Sequence, residues 1–425
     1  MYIDTPQSVK NFAEKYMEGL PKSKIELLTG YVSAVILGQE KKVTLTGLGK
    51  TLFNIDKHKT TVSRFFRGKR YFSRDYYRTI ALKILLEACI HFPPKARYIL
   101  LLDGSCLKRG ADAEIENCIK YRKKAHNVKG RSTKAHTFLL GLILMPNGVR
   151  IPAPRYTFYT KTYCKKYGKT HKTQHELAAE MIKEVRGMIG HDAELIVLAD
   201  AFFDSKKLFD ACANENASFL VPADKARVYI KGSQKRKLHK FGRSKFEESK
   251  TYRIKKGDET FTREYCRYSS PRGKKVDEYQ AKSERMNVSK LGDTQVVFSW
   301  KKNNKVYRKN SFKTILCNNP AFSTREILEL YALRWQIEIF FRELKSDLGF
   351  ADFSGRNFKA LERYLDLILM SYVFLEWYRH RKLIQAKNSI KRASIDKLRT
   401  RGLKRLLKEE ADRAMRDYLL KKAAA

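Results

Sequence analysis

The chain has 425 residues and carries 88 Lys plus Arg against 45 Asp plus Glu, a formal net charge of +43. A folded protein with that self-repulsion needs a polyanion close by, nucleic acid first and an anionic membrane surface second. Its hydrophobic share of 43% excludes a disordered basic tail, and its length allows two or three domains.

Residues 1–92 read as a helical, DNA-binding domain. Within 45–67, Leu48, Leu52 and Phe53 suit a short helix, Asn54–Asp56 a turn, and Lys59–Phe66 a second helix with Val62, Phe65 and Phe66 turned inward. Its outer face would carry Lys57, His58, Lys59, Thr60, Ser63 and Arg64, with Arg67 just beyond. Short polar groups for base edges and cations for phosphates are what a helix-turn-helix reading helix needs. A plain basic helical bundle gives the same pattern, so both readings stand.

Pro93 and Pro94 mark a boundary. After them Tyr98–Leu102, Phe138–Met145, Leu195–Ala199 and Ser218–Val221 are apolar runs of the kind that form buried strands, and Asn117–Arg122 is a more polar one. Thr173–Ile189 and a stretch through Leu208 and Cys212 have helical periodicity. Strands and helices alternating in this order give an α/β fold. From 222 to 320 the chain becomes basic and β-rich, with strands expected over Thr251–Lys256, Phe261–Tyr268, Thr294–Trp300 and Val306–Cys317. Phe358–Tyr378 is a strongly apolar amphipathic helix, which suits either a dimer surface or burial within one chain. The rest of 351–425 is helical and basic. No apolar run nears the roughly 20 residues of a membrane span, and the N-terminus shows no secretory pattern. The seven cysteines form no C-x-x-C pair and read as free thiols in a reducing compartment. The expected setting is the cytoplasm, on the nucleoid.

The most informative stretch is Tyr331–Lys345, Y-A-L-R-W-Q-I-E-I-F-F-R-E-L-K. On one continuous helix Tyr331, Arg334, Glu338 and Lys345 fall within an arc of about 60°. Ser323 and Glu326 form an S-x-x-E capping signature before it, and Gly349 follows as a C-cap. Ile337, Ile339, Phe340, Phe341 and Leu344 make the remainder apolar. A carboxylate on a largely buried helix needs a partner or a task. Asp103 and Asp200 each follow an apolar strand, where the loops of open α/β sheets diverge and sites collect. Asp204 is the rival to Asp200, but the apolar run stops at Asp200, which leaves Asp204 as a cap for the next helix. Three carboxylates without evident counter-charges suit hard divalent cations, and two such ions can hold an attacking water and a leaving 3′ oxygen around one phosphorus. His126, His136, His171 and His175 have no ligand spacing and read as DNA-facing or structural.

These residues resemble the DDE transposases of bacterial and archaeal insertion sequences, specifically the group with Y-x2-R-x3-E-x6-K around its last acid. The contexts L-L-D-G-S of Asp103 and L-A-D-A-F-F-D-S of Asp200 are similar to those of its first two acids. The 138-residue interval from Asp200 to Glu338 is similar too. The resemblance implies a ribonuclease-H-like catalytic core over 93–221 and 321–350, interrupted by a β-rich insertion over 222–320. It implies that Asp103, Asp200 and Glu338 are catalytic and ligate two Mg²⁺ or Mn²⁺ ions. Tyr331, Arg334 and Lys345 would contact phosphates near the cleaved transposon end, with Lys108 and Arg109 either contacting phosphate or lying as plain surface cations. Trp335 would stack on an unstacked base or fill core, and Trp300 would support a flipped base. Implied partners are the terminal inverted repeats, target DNA and a second copy of the chain, with no membrane. A nuclease of the same fold class and a catalytically silent transposase-derived DNA-binding protein are the competing readings.

Overall fold

A computed structural model describes residues 6–37, 59–68, 74–90, 92–109, 115–121, 124–125, 128–129, 133–256, 275–303 and 306–385, with Arg416 and Leu420. Lys57, His58, the helix and turn expected at 45–58, the Lys59 side chain, His126, the strand expected over Phe261–Tyr268 and most of 386–425 lie outside the described residues.

Seven long strands organise the protein: β1 Arg97–Arg109, β2 Thr133–Leu144, β3 Glu194–Leu198, β4 Ala217–Pro222, β5 Lys275–Val288, β6 Gly292–Asn303 and β7 Val306–Cys317. They lie in one sheet in the order β5-β6-β7-β4-β3-β1-β2. β3 runs parallel to both β1 and β4, and the other pairings along this path are antiparallel. The apolar runs make the central strands because both faces are covered: Ile99 to Leu102 and Leu195 to Ala199 are all buried. The insertion is not a separate sheet, since β7 pairs with β4 through Ile315–Cys317 and extends the central one. Short strands Val228–Lys231, Gln234–Lys237 and Lys250–Lys256 add to its outer end. The charged β5 and the hairpin of 228–237 carry too little alternation to be anticipated from sequence.

The helices are α1 Gln7–Tyr16, α2 Lys22–Leu37, α3 Lys59–Arg67, α4 Arg74–Cys89, α5 Gln174–Ile189, α6 Lys206–Asn214, α7 Thr324–Ala332, α8 Trp335–Arg342 and α9 Phe358–Gln385. α5 starts with a full capping box between Thr173 and Glu176. α9 is the hinge-pin of the molecule: its residues 358–376 are almost entirely buried. Phe12 of α1 packs edge-on to Phe374, Phe66 of α3 packs on Tyr364, and Arg150 beside β2 bonds Glu376. Burial within one chain therefore accounts for the apolar face of α9, and a dimer surface is not needed to explain it.

A buried ionic cluster fastens α9 to the chain beside the central sheet. Arg155 donates to Asp366 at 2.8 Å and to Glu362 at 2.9 Å, and all three side chains are buried. Tyr159 and Thr157 also donate to Glu362. Such a cluster holds register because each charge depends on the others.

Candidate active site

Register places the two aspartates side by side. The last parallel pair of β1 and β3 is Leu101 with Leu198. Asp103 and Asp200 each lie two residues further on, so they leave neighbouring parallel strands at the same level, with strands about 4.8 Å apart. β1 itself does not stop at Asp103, as its sequence suggested. It continues to Arg109 because β2 keeps pairing with it, while β3 has already ended. Asp103 accepts from the Gly104 N–H at 2.7 Å, and a Cβ on Gly104 would come within 3.0 Å of Gln174 at the start of α5. Asp200 caps a single 3-10 turn over Ala201–Phe203 and accepts from the Phe202 N–H at 2.9 Å.

Asp204 does not cap the next helix. Its buried carboxylate pairs with Arg227, and Ser205 caps α6 instead. A satisfied structural role removes it as a rival to Asp200.

Glu338 sits on α8, which packs against β1 and β2. The continuous helix expected from Ser323 to Gly349 is broken twice. Between α7 and α8 the chain tightens into i→i−3 bonds, from Arg334 N–H to Tyr331 and from Ile337 N–H to Arg334. After α8 it widens into a π-turn over Glu343–Asp347, and Gly349 then stops it in the left-handed region at φ 74°. Ser323 does cap α7, but the Glu326 carboxylate leaves the capping box to pair with Arg97. Lys345 thus lies in the π-turn, where its ammonium donates to the Cys106 carbonyl of β1 at 3.0 Å.

Arg334 stands between two of the acids, 2.6 Å from Glu338 and 3.9 Å from Asp103. Burial and the neighbouring charge of Asp200 push the Asp103 carboxyl up to about 6, against Arg334 and the Gly104 N–H, and Glu338 adds to the rise. Burial also opposes the Arg334 charge, but Tyr331, Glu338 and Asp103 outweigh it and hold the guanidinium above its ordinary value. Burial raises the Tyr331 phenol to about 12, with Arg334 opposing and Asp200 and Glu338 assisting. Asp103, Asp200, Glu338, Tyr331 and Arg334 therefore feel one another's fields as a single cluster.

Next to the cluster a cavity of about 240 Å³ opens between α7–α8 and the insertion, lined among others by Tyr279, Lys301, Lys313, Tyr331, Arg334 and Trp335. Lys313 lies 5.3 Å over the Tyr331 ring. Desolvation lowers the pKa of its ammonium, as do Arg334 and Lys301, while Glu338 works the other way. Lys301 pairs with Asp277 at 2.7 Å. Sequence reading missed both lysines. The signal was there in the period-2 alternation, with Trp300 and Phe312 inward and Lys301 and Lys313 outward.

The two tryptophans differ sharply in exposure. Trp335 is 61% exposed, so it does not fill core. Trp300 is 5% exposed and wedged between Phe246 and Phe312, which leaves no open face for a flipped base. Lys108 is exposed on β1, but Arg109 bonds His136 and the Phe353 carbonyl and is a structural residue. His136 is buried and its pKa falls to about 4, chiefly by desolvation. His171 bonds the Tyr159 carbonyl. On α3, Val62, Phe65 and Phe66 are buried while Arg64 and Arg67 are exposed and Ser63 is half-buried, a pattern shared by a reading helix and a plain basic bundle. Cys106, Cys118, Cys164, Cys212 and Cys317, the cysteines whose side chains are described, are free thiols.

Residues 165–374 match the family model for a transposase DDE domain. The matched span holds Asp200, Tyr331, Arg334, Glu338 and Lys345, and it begins downstream of Asp103. The match supports a DDE transposase and implies a ribonuclease-H-like fold; β3 and β4 fall inside the matched span, while β1 and β2, which continue the same sheet, precede it. No curated protein matches the chain. DDE transposases use divalent metals, and three carboxylates are the right donors in kind. Among the described residues, however, no three His, Cys, Asp or Glu side chains are already spaced to hold one ion. The Arg334–Glu338 pair would have to open first. Among the same residues no helix is long and apolar enough to cross a membrane.

Proposed function

We propose that the protein is a DNA transposase of the insertion-sequence group defined by Y-x2-R-x3-E-x6-K, which cuts transposon ends and joins their 3′ hydroxyls to target DNA. The observation that carries this reading is the convergence of Asp103 and Asp200, level on adjacent strands, with Glu338 and the cations beside it. The proposed organisation is a helical DNA-binding region over 1–92 with a helix-turn-helix at 45–67, a core over 93–221 and 321–350, an insertion over 222–320 and a helical tail over 351–425. Two ends must be cut together, which makes a homodimer on DNA the working form, with the cytoplasmic nucleoid as its setting.

In this reading Asp103, Asp200 and Glu338 hold two Mg²⁺ or Mn²⁺ ions. When bound, the metal supplies a nucleophilic water at neutral pH and a positive field at the scissile phosphate. The chain's own residues do the positioning. Tyr331, Lys345 and Lys313 receive backbone phosphates around the cut, Lys108 extends the basic track, and Arg334 exchanges Glu338 for a phosphate oxygen. Trp335 offers its open face to an unstacked base. Ser63, Arg64 and Arg67, with Lys57 and Lys59, face DNA away from the cut.

Incubating the chain with duplexes bearing the ends of its own element, a circular target and Mg²⁺ tests the proposal. Joined 3′ ends are expected. Cutting without joining would favour a nuclease of the same fold, and binding without cutting a silent DNA-binding descendant.

Two side-chain tests follow from the geometry. Arg334→Ala removes the cation from between two acids, so Mn²⁺ binding without DNA, read by electron paramagnetic resonance, should tighten by roughly ten-fold, the scale of one charge-assisted hydrogen bond. An unchanged affinity would show that the guanidinium does not compete with the ion. Lys345→Ala should weaken end binding and reduce the slope of log affinity against log salt by about one. An unaltered slope would remove Lys345 from the phosphate contacts.

A further inference from the structure

Three aromatic side chains among the described residues are largely exposed: Tyr167 at 44%, Phe202 at 53% and Trp335 at 61%. Two of the three flank the acids, Phe202 two residues after Asp200 and Trp335 three before Glu338. Trp335 belongs to the motif already considered. Phe202 has no part in any role assigned so far.

The Phe202 ring is held rather than merely left outside. Its neighbour Phe203 is fully buried and anchors the turn. The Phe202 N–H is bound by Asp200, so the ring and the carboxylate share one rigid turn. His175 of α5 stacks on the ring, with centroids 4.9 Å apart and planes 16° from parallel, and its Nε2 bonds the Phe202 carbonyl at 2.7 Å. Phe203 meets both rings edge-on. One face of Phe202 is thus closed by imidazole, and its exposed area lies elsewhere. A single apolar ring in water needs no explanation by itself. A ring locked in place at an acid of the cutting site, in a chain of charge +43, has one chemically apt occupant.

We propose that Phe202, backed by His175, is a stacking platform for an unpaired nucleobase of the DNA being processed, separate from Trp335. The proposal rests on the DNA-cutting reading of the same site. Stacking on an aromatic face is tolerant of base identity, since every base has a π-face. The platform would steady a strand that loses its pairing partner at the cut, on the Asp200 side of the cluster.

The test uses the full chain in EDTA, so that binding is read without chemistry. The probe is a short single-stranded oligothymidylate carrying 5-iodouracil, cross-linked by light and mapped by mass spectrometry. A cross-link at Phe202 is expected. Phe202→Ala should lose it and weaken binding roughly ten-fold, while Phe202→Trp, which keeps a platform, should bind like the wild type. Cross-links found only elsewhere, at Trp335 for instance, or unchanged affinity in Phe202→Ala, overturn the proposal. A wild type that cuts DNA but cross-links only elsewhere removes the platform alone. A wild type that cross-links at Phe202 yet cuts no DNA with Mg²⁺ removes the cutting reading and leaves the platform.

Discussion

Asp103→Asn should lower the rate of end cleavage by about a thousand-fold or more while leaving end binding within about two-fold. The substitution keeps the shape and an oxygen able to accept from the Gly104 N–H, and it removes one of the three proposed anionic ligands. Metal-assisted stabilisation of a phosphoryl transition state is worth several kcal/mol, and each 1.36 kcal/mol is a factor of ten. The fold should not suffer. Asp103 is crowded by Asp200 and Glu338, so neutralising it relieves like-charge repulsion, and the thermal midpoint should hold or rise. Gel-resolved cleavage of labelled ends and a melting curve on the same sample check both halves. Cleavage at the wild-type rate would reject the assignment of Asp103.

The second large effect is structural. Arg155→Ala should destabilise the protein by about 3–5 kcal/mol, the cost of leaving buried charges without their partner. Glu362 and Asp366 would then face each other on α9 with no cation between them. Because α9 also carries the packing of α1 and α3, the loss should spread to the N-terminal helices. A fall in melting temperature of about 3–6 °C is expected for a chain of 425 residues. Replacing Arg155, Glu362 and Asp366 together by apolar residues of similar volume should restore most of it. Melting of Arg155→Ala at the wild-type temperature would mean that the cluster contributes little.

The parts of this architecture legible in the sequence are those written in local pattern. Apolar runs such as Leu195–Ala199 can only be central strands, and the acid that ends one marks where the sheet opens. The inward set Val62, Phe65 and Phe66 follows from helical period alone. What escaped depends on distant pairing. Trp300 is buried because Phe246 and Phe312 arrive from other segments, and Trp335 is exposed at the start of α8, within the stretch where the backbone tightens. Neither break in the helix leaves a mark in the apolar spacing, since Ile337, Phe340 and Leu344 are buried through it. The joining of the insertion to the central sheet rests on Leu316 meeting Val221, 95 positions apart, which no local signal encodes. Phe202 was hidden in the run A-F-F, where both rings look like core and only one is.

The central claim is that Asp103, Asp200 and Glu338 together grip divalent ions when DNA is present. Anomalous diffraction from crystals of the chain with an end duplex and Mn²⁺ tests it most directly. The account predicts manganese peaks among those three carboxylates, with Arg334 drawn away from Glu338 onto a phosphate. Manganese bound elsewhere, with Arg334 still paired to Glu338, would contradict it.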